Sequence, residues 1–208
     1  IGTDQSVIRK AKELKQDQYK IILYAPTFRD TGLGDDFLEK ETLDLNELDN
    51  FAIKNRIFII FKVHPWREFP VDFKNLKNLI KYKDTGDVYP LLPQVDLLIT
   101  DYSSIFFDFL YLNRPIIFFP YDYDKYIRED RSLKYDYDWV TPGPKCMHQN
   151  DLQQCIQKVF LNDTDEYGHR RRAIFDMSFS HQNGSASRHI IESLQDEVAS
   201  KKGIRQNR

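Results

Sequence analysis

Residues 95–109 read VDLLITDYSSIFFDF, and this stretch decides the fold. The apolar run 95–99 stops at Thr100-Asp101, a short polar stretch follows, and a second apolar segment opens at Ile105. The first run is brief and does not alternate, the pattern of a strand buried on both faces of a parallel sheet. The second reads as a helix over 103–112, with Asp101 or Ser103 as its cap. A helix that begins where a strand ends presents free backbone N–H groups and the positive end of its dipole, a setting that suits phosphate. The hydroxyls of Ser103 and Ser104 add donors there. Asp108 lies four residues after Ser104, so both share one helix face, and Asp108 is placed to accept from a ligand hydroxyl. Plain helix capping, with Asp108 on a solvated face, accounts for the same spacing.

Working outward, three more runs repeat the pattern: KIILY at 20–24, IFIIFKV at 57–63 and PIIFF at 115–119, with NLIKY at 78–82 as a weaker fifth. Helical spacing falls between them at 45–55, and 87–94 is long enough for one or two turns. Strand alternating with helix argues for βαβ units and an α/β fold, a Rossmann-like doubly wound parallel sheet. Right-handed crossovers bring the carboxyl ends of the strands to one edge, where such sheets bind ligands. Thr27, His64 and Asp101 end three of these strands and are expected at that edge. Past Pro120, residues 121–139 are dense in Tyr and Asp and read as a long functional loop closed by the turn Thr141-Pro142-Gly143-Pro144. Helices are expected at 150–161, 163–177 and 185–199, and a frayed tail from 201. The division that results is a linker or helix over 1–19, a Rossmann-like body over 20–199 and a flexible tail over 200–208.

The chain has 208 residues, 41% of them hydrophobic and 30% charged, within the range of a single globular domain. Thirty basic residues against 32 acidic ones give a net charge of -2, which offers no support for nucleic-acid binding. Cys146 and Cys155 form no CxxC pair, so neither a zinc site nor a disulfide framework is expected. The most apolar region, 97–121, is broken by Asp101, Asp108, Asn113 and Arg114, short of the ~18 apolar residues that span a bilayer. No metal or cofactor is implied.

Other candidates are individually weaker. An imidazole at His64 suits a phosphate oxygen or a leaving group, although a lone His is more often structural. Thr27 and Arg29, just past the first strand, suit anionic oxygens, Arg in bidentate fashion. An ion-paired surface loop is the plainer account. Ser185, after Gly184, reads as a helix cap whose free N–H groups also suit phosphate. Arg128, Arg131, Lys134 and Lys145 stand among carboxylates, a solvated pattern unless one arginine turns inward. Arg170-Arg171-Arg172 reads as helix-surface charge, with anionic lipid as the alternative.

Several ordered segments resemble the CDP-glycerol glycerophosphotransferase family, the teichoic-acid primases and polymerases with related capsule polymerases. They are ILYAPTFRD at 22–30, FKVHP at 61–65, DVYPLLPQVDLLITDYSSIFFDF at 87–109, RPIIFFPYDYDKY at 114–126, DYDWVTPGP at 136–144 and HQNGSASR at 181–188. The resemblance implies the C-terminal, donor-binding half of a GT-B fold. It implies that His64 contacts the donor phosphates and helps CMP depart, that Ser103 and Ser104 hold the pyrophosphate, that Asp108 orients the donor hydroxyls, and that Arg131 lies near donor phosphate. It implies CDP-glycerol as donor and a lipid-linked polyol-phosphate or saccharide-phosphate as acceptor. The expected location is cytoplasmic, peripheral at the inner membrane face. Nothing in the chain corresponds to the family's N-terminal acceptor domain, and the chain opens on Ile1, so either the rest has been cut off or the chain is a truncated gene product. A non-catalytic nucleotide-binding or assembly module, and a transferase using CDP-ribitol or a nucleotide sugar, are the alternatives.

Overall fold

A computed structural model describes residues 3–27, 42–62, 73–83, 86–129, 132–161, 165–180 and 184–206. Five strands, β1 (Lys20–Ala25), β2 (Ile57–Phe61), β3 (Leu79–Lys81), β4 (Leu97–Thr100) and β5 (Ile116–Phe118), form one sheet in the order β3-β2-β1-β4-β5. Every neighbouring pair is parallel, with Ile22 opposite Ile59 and Leu97 at the centre, and Ile99 opposite Tyr24 and Ile117. The expected doubly wound, Rossmann-like sheet is therefore present.

The non-alternating apolar runs are explained by burial on both faces. Successive strand side chains point to opposite sides. One side carries Ile22, Tyr24, Ile59, Phe61, Leu97, Ile99 and Ile117, all within one buried cluster. The cluster is completed by Leu45, Leu48 and Ala52 of α2 (Leu45–Lys54) and by Leu152 and Ile156 of α6 (Gln149–Leu161). The other side carries Ile21, Leu23, Phe58, Ile60, Leu98, Ile116 and Phe118, also buried. There Lys10 of α1 (Gln5–Gln16) lies 4.8 Å from the Phe58 ring, and Phe106 of α3 (Ile105–Phe109) meets Phe118 edge-on at 5.4 Å. Burying a large aliphatic or aromatic side chain is worth about 1.5–3 kcal/mol, so this double layer is the main source of stability.

Local choices agree with this frame. Asp4 starts α1, accepting from Val7 N, and Asp44 starts α2, accepting from Asn46 N at 2.9 Å and Glu47 N at 3.1 Å. Asp49, buried on α2, accepts from Lys77 N at 3.0 Å and Asn78 N at 2.7 Å and so fixes the entry to β3. Asn113 takes a left-handed conformation (φ 45°) where the turn 110–112 gives way to the approach to β5, a place Asn tolerates well.

The structure departs from the sequence reading in several places. The chain divides into two compact units, Ile1–Ile174 and Phe175–Arg208. Helix α1 packs within the first unit: Val7, Ile8 and Ala11 are buried, and Lys15 Nζ meets Asp96 at 2.7 Å. The helix expected over 103–112 is α over 105–109 and then 3-10 over 110–112, and 89–94 is 3-10, with Pro93 inside it lacking the N–H that a continued α-helix needs. The expected loop 121–139 contains α4 (Tyr123–Glu129) and the start of α5 (Tyr137–Val140). The turn at Gly143 leads into an additional parallel strand position: Phe118 N donates to Pro144 O at 2.9 Å and Cys146 N to Phe118 O at 2.8 Å. Helix α7 covers Gly168–Ser178, and α8 covers Ala186–Gln206, so the segment expected to fray from 201 is helical to 206. In the second unit, Phe175 and Phe179 pack at 5.1 Å, and Gly184 (φ 71°) makes the turn before α8.

Candidate functional site

With strand order 3-2-1-4-5, the direction of winding reverses between β1 and β4, and their carboxyl ends frame the crevice where doubly wound sheets bind ligands. The residues at those ends are Ala25-Pro26-Thr27 and Thr100-Asp101. They are tied across the junction. Thr100 Oγ1 donates to Ala25 O at 2.7 Å. The Asp101 carboxylate accepts from Thr27 N at 2.8 Å, from Thr27 Oγ1 at 2.6 Å and from Tyr102 N at 2.6 Å. Asp101 therefore does not cap α3, as the spacing allowed; its side chain turns to the neighbouring strand instead. The N-cap of α3 is Ser104, which makes no side-chain capping bond, and Ser103 Oγ accepts from Ile105 N only at 3.5 Å. Ser104 is exposed and Ser103 half-buried at the mouth of the crevice, so both hydroxyls face an accessible space.

Asp108, half-buried one turn along, accepts from the Tyr89 hydroxyl at 3.0 Å. Partial burial, followed by the hydrogen bond to Asp108, pushes the Tyr89 phenol above its ordinary pKa. Spacing gave no hint of Tyr89, which arrives from the 3-10 turn before β4.

The Tyr-rich segment closes the other side. Tyr102 stacks on Tyr126 with centroids 3.8 Å apart and its hydroxyl donates to Asp122 at 3.1 Å, while the buried Tyr137 hydroxyl donates to Asp101 O at 3.0 Å. A pocket of about 110 Å³ lies here, lined by Asp101, Tyr102, Phe106, Phe107 and Tyr137 among others. Lys145, facing Asp138 at 3.4 Å, has its pKa lowered, chiefly by burial.

Of the expected site residues, Thr27, Ser103, Ser104 and Asp108 fall along this one edge. His64, Arg29 and Arg131 lie outside the described residues. Ser185 belongs to the second unit, where its carbonyl accepts from His189 N at 3.0 Å and its Oγ is 3.4 Å from His189 Nδ1. Of the arginine triplet, Arg172 is exposed and Arg170 half-buried, as expected of helix-surface charge, but Arg171 is turned inward. Arg171 is 1% exposed and bound to the Asp165 carboxylate and to Asn113 O at 3.2 Å, and Arg170 donates to Asp138 O at 2.8 Å. Among the described residues, no cluster of His, Cys, Asp and Glu is arranged to hold a metal, and no helix is long and apolar enough to cross a membrane.

Residues 2–196 match the family model described as CDP-Glycerol:Poly(glycerophosphate) glycerophosphotransferase. The chain belongs to this family. Among its glycerophosphotransferase relatives, a teichoic acid poly(glycerol phosphate) polymerase of Bacillus spizizenii is 32% identical over 187 residues, covering 84% of this chain and 44% of the relative. A teichoic acid poly(ribitol-phosphate) polymerase of the same organism is 31% identical, over 84% of this chain and 28% of the relative. A teichoic acid glycerol-phosphate primase of Bacillus subtilis is 35% identical, over 68% of this chain and 36% of the relative. The structure of the wall teichoic acid polymerase TagF superposes with a TM-score of 0.70 at 28% identity, covering 95% of this chain and 48% of that one. A variant of TagF soaked with CDPG matches with a TM-score of 0.67. The chain thus spans between about a quarter and a half of the length of these relatives. Its sheet is the GT-B-like, Rossmann-type half that the resemblance implied.

Proposed function

We propose that this chain is the donor-binding half of a transferase that moves glycerol phosphate from CDP-glycerol to a teichoic-acid-like or capsular acceptor. One observation carries the reading: the β1/β4 reversal point opens onto Ser103 and Ser104 at the start of α3, with the Asp108–Tyr89 pair beside them. In this reading the two hydroxyls and the adjacent backbone N–H groups receive the diphosphate, and Asp108 with Tyr89 meets the polyol or ribose hydroxyls. Arg29 and Arg131 supply cationic charge to the phosphates. An acceptor hydroxyl attacks the β-phosphorus, the bond from that phosphorus to the bridging oxygen breaks, CMP leaves and a phosphodiester forms. His64 assists the departing CMP, and the acceptor half takes up the hydroxyl proton. Positioning and neutralisation of charge supply the rate. A lipid-linked acceptor places the protein at the cytoplasmic face of the membrane, in peripheral contact.

The ribitol-phosphate polymerases among the relatives support a second donor, CDP-ribitol, at the same edge. Calorimetric titration of the chain with CDP-glycerol, CDP-ribitol and CMP separates the polyols. Replacing Ser103 and Ser104 together by Ala removes two donors to a charged group and is expected to weaken binding about tenfold or more. Unchanged affinity would take the diphosphate away from this helix start. In the longer protein that carries an acceptor half, His64→Ala is expected to cut transfer sharply while donor binding persists; equal transfer rates would remove His64 from the mechanism.

A further inference from the structure

We infer that Tyr89 and Asp108 together form a receptor for a vicinal diol of the donor, and that the pair makes the crevice selective for ligands that carry one. The inference rests on the donor-site reading above and deepens it by naming the group that the pair reads. The Tyr89 hydroxyl donates to Asp108 Oδ2 at 3.0 Å. A carboxylate only accepts, so the single proton between them is the phenol's. Asp108 Oδ1 has no partner among the described residues, and the phenol oxygen, its proton committed, keeps its capacity to accept. Two acceptors thus stand side by side with no free donor between them. A phosphate finds no proton there and is repelled by the carboxylate. Hydroxyls on adjacent carbons, as in a polyol or in ribose, supply the two donors that the pair lacks.

Both oxygens are carried by anchored elements. Tyr89 opens the 3-10 turn 89–94, where its N–H donates to Asp87 Oδ1 at 3.0 Å, Leu91 and Leu92 are buried, and Arg114 donates to Pro93 O at 2.9 Å. Asp108 stands on α3 between Phe106 and Phe109, which are 4% and 0% exposed. Little ordering is left for a ligand to impose. Tyr89 itself is 55% exposed, so its bond to Asp108 is not needed to satisfy a buried group. Asp108 follows Ser104 by one turn, about 6 Å along the helix axis, so a diol a few covalent bonds from a phosphate at Ser104 reaches the pair.

Titration calorimetry on the whole chain compares CDP-glycerol with CDP-ethanol, which lacks the polyol diol, and with 2′-deoxy-CDP-glycerol, which lacks the ribose diol; circular dichroism checks folding. The unsubstituted chain is expected to bind CDP-glycerol about tenfold more tightly than one of these analogues, the worth of a hydrogen bond to a charged group. Tyr89→Phe and Asp108→Asn are each expected to bring that ratio within about threefold. The double substitution goes little further, because the two oxygens act as a unit. The loss falls on CDP-glycerol and spares the analogue, a split that a general loosening of the crevice does not produce. Loss of the first ratio assigns the pair to the polyol, and loss of the second assigns it to ribose. Tyr89→Phe alone carries the test if Asp108→Asn does not fold. Ratios unchanged by Tyr89→Phe, an equal loss for all three ligands, or no preference in the unsubstituted chain overturn the inference and leave the donor site standing. No binding of any of the three ligands by the unsubstituted chain overturns the donor-site reading together with the inference.

Discussion

A single methyl group tests the packing that closes the sheet beyond β5. A Cβ on Gly143 would stand 2.1 Å from Ile116 O, 3.0 Å from Ile116 C and 3.2 Å from Phe118 Cδ2. The first two are backbone atoms of a buried strand and have no room to yield. To reach ordinary contact, the segment 143–146 must withdraw by more than about 1 Å. That movement breaks or stretches the two bonds that hold it to β5, Phe118 N to Pro144 O and Cys146 N to Phe118 O. Each bond is worth about 1 kcal/mol net, and residual overpacking adds roughly 1–3 kcal/mol. Gly143→Ala is therefore expected to cost about 3–5 kcal/mol, a large part of the ~5–15 kcal/mol typical of a folded domain. For a chain of this size that lowers Tm by about 6–20 °C. Thermal unfolding followed by circular dichroism, with a urea midpoint as the second measure, reads the effect. A Tm within about 2 °C of the unsubstituted chain would mean that Gly143 does not lie against Ile116, and the additional strand position would be wrong. Ile116 opens β5, at the end of the sheet away from the crevice. Donor affinity measured well below the transition is therefore expected to stay unchanged.

Further outcomes follow from three buried groups. Asp49→Ala strands the N–H groups of Lys77 and Asn78 and is expected to cost about 2–3 kcal/mol in urea unfolding, whereas Asp49→Asn costs less because it keeps one acceptor. Arg171→Met removes a buried cation bound to Asp165 and Asn113 and is expected to cost about 2 kcal/mol, since Asp165 is able to rehydrate. The same ion pair sets an acid limb. The hydrogen bond from Arg171 holds the Asp165 carboxyl below its ordinary pKa, so its stabilisation is present above the usual carboxylate range and is lost as pH falls through the lowered value; a stability–pH profile of Arg171→Met is expected to be flatter there. At the alkaline end, burial and then the hydrogen bond with Cys155 push the Cys146 thiol pKa upward. A raised folded pKa gives stability that is complete below the unfolded thiol value of about 8.5 and declines at higher pH. Thiol reagents at neutral pH are expected to modify the half-buried Cys155 well before Cys146; equal rates in the folded chain would contradict the burial.

The parts of the fold legible in the sequence are those fixed by local pattern. Strands buried on both faces had to be written as unbroken apolar runs, and 20–24, 57–61 and 97–99 each fell where a run had been read. What resisted reading is what depends on a partner distant in the chain. An aspartate just past a strand has two competing uses: to cap the helix it precedes, or to reach the strand beside it. Spacing cannot separate them, because the second depends on which strand lies alongside, and Asp101 takes the second through Thr27, 74 residues away. The short helices of the Tyr-rich segment were hidden for the same reason. Four residues at 137–140 hold no helix by propensity; Asp136 caps them, accepting from Trp139 N at 2.8 Å, and the Tyr137 hydroxyl anchors them on Asp101 O. The two misreadings therefore meet at a single residue. Asp101 meets Thr27, just past β1, through its carboxylate and α5 through its backbone carbonyl, so the crevice and the aromatic wall beside it are tied at one position of the chain by two separate groups. A side-chain substitution at Asp101 removes only the first tie and leaves the bond from Tyr137, which Tyr137→Phe alone would remove.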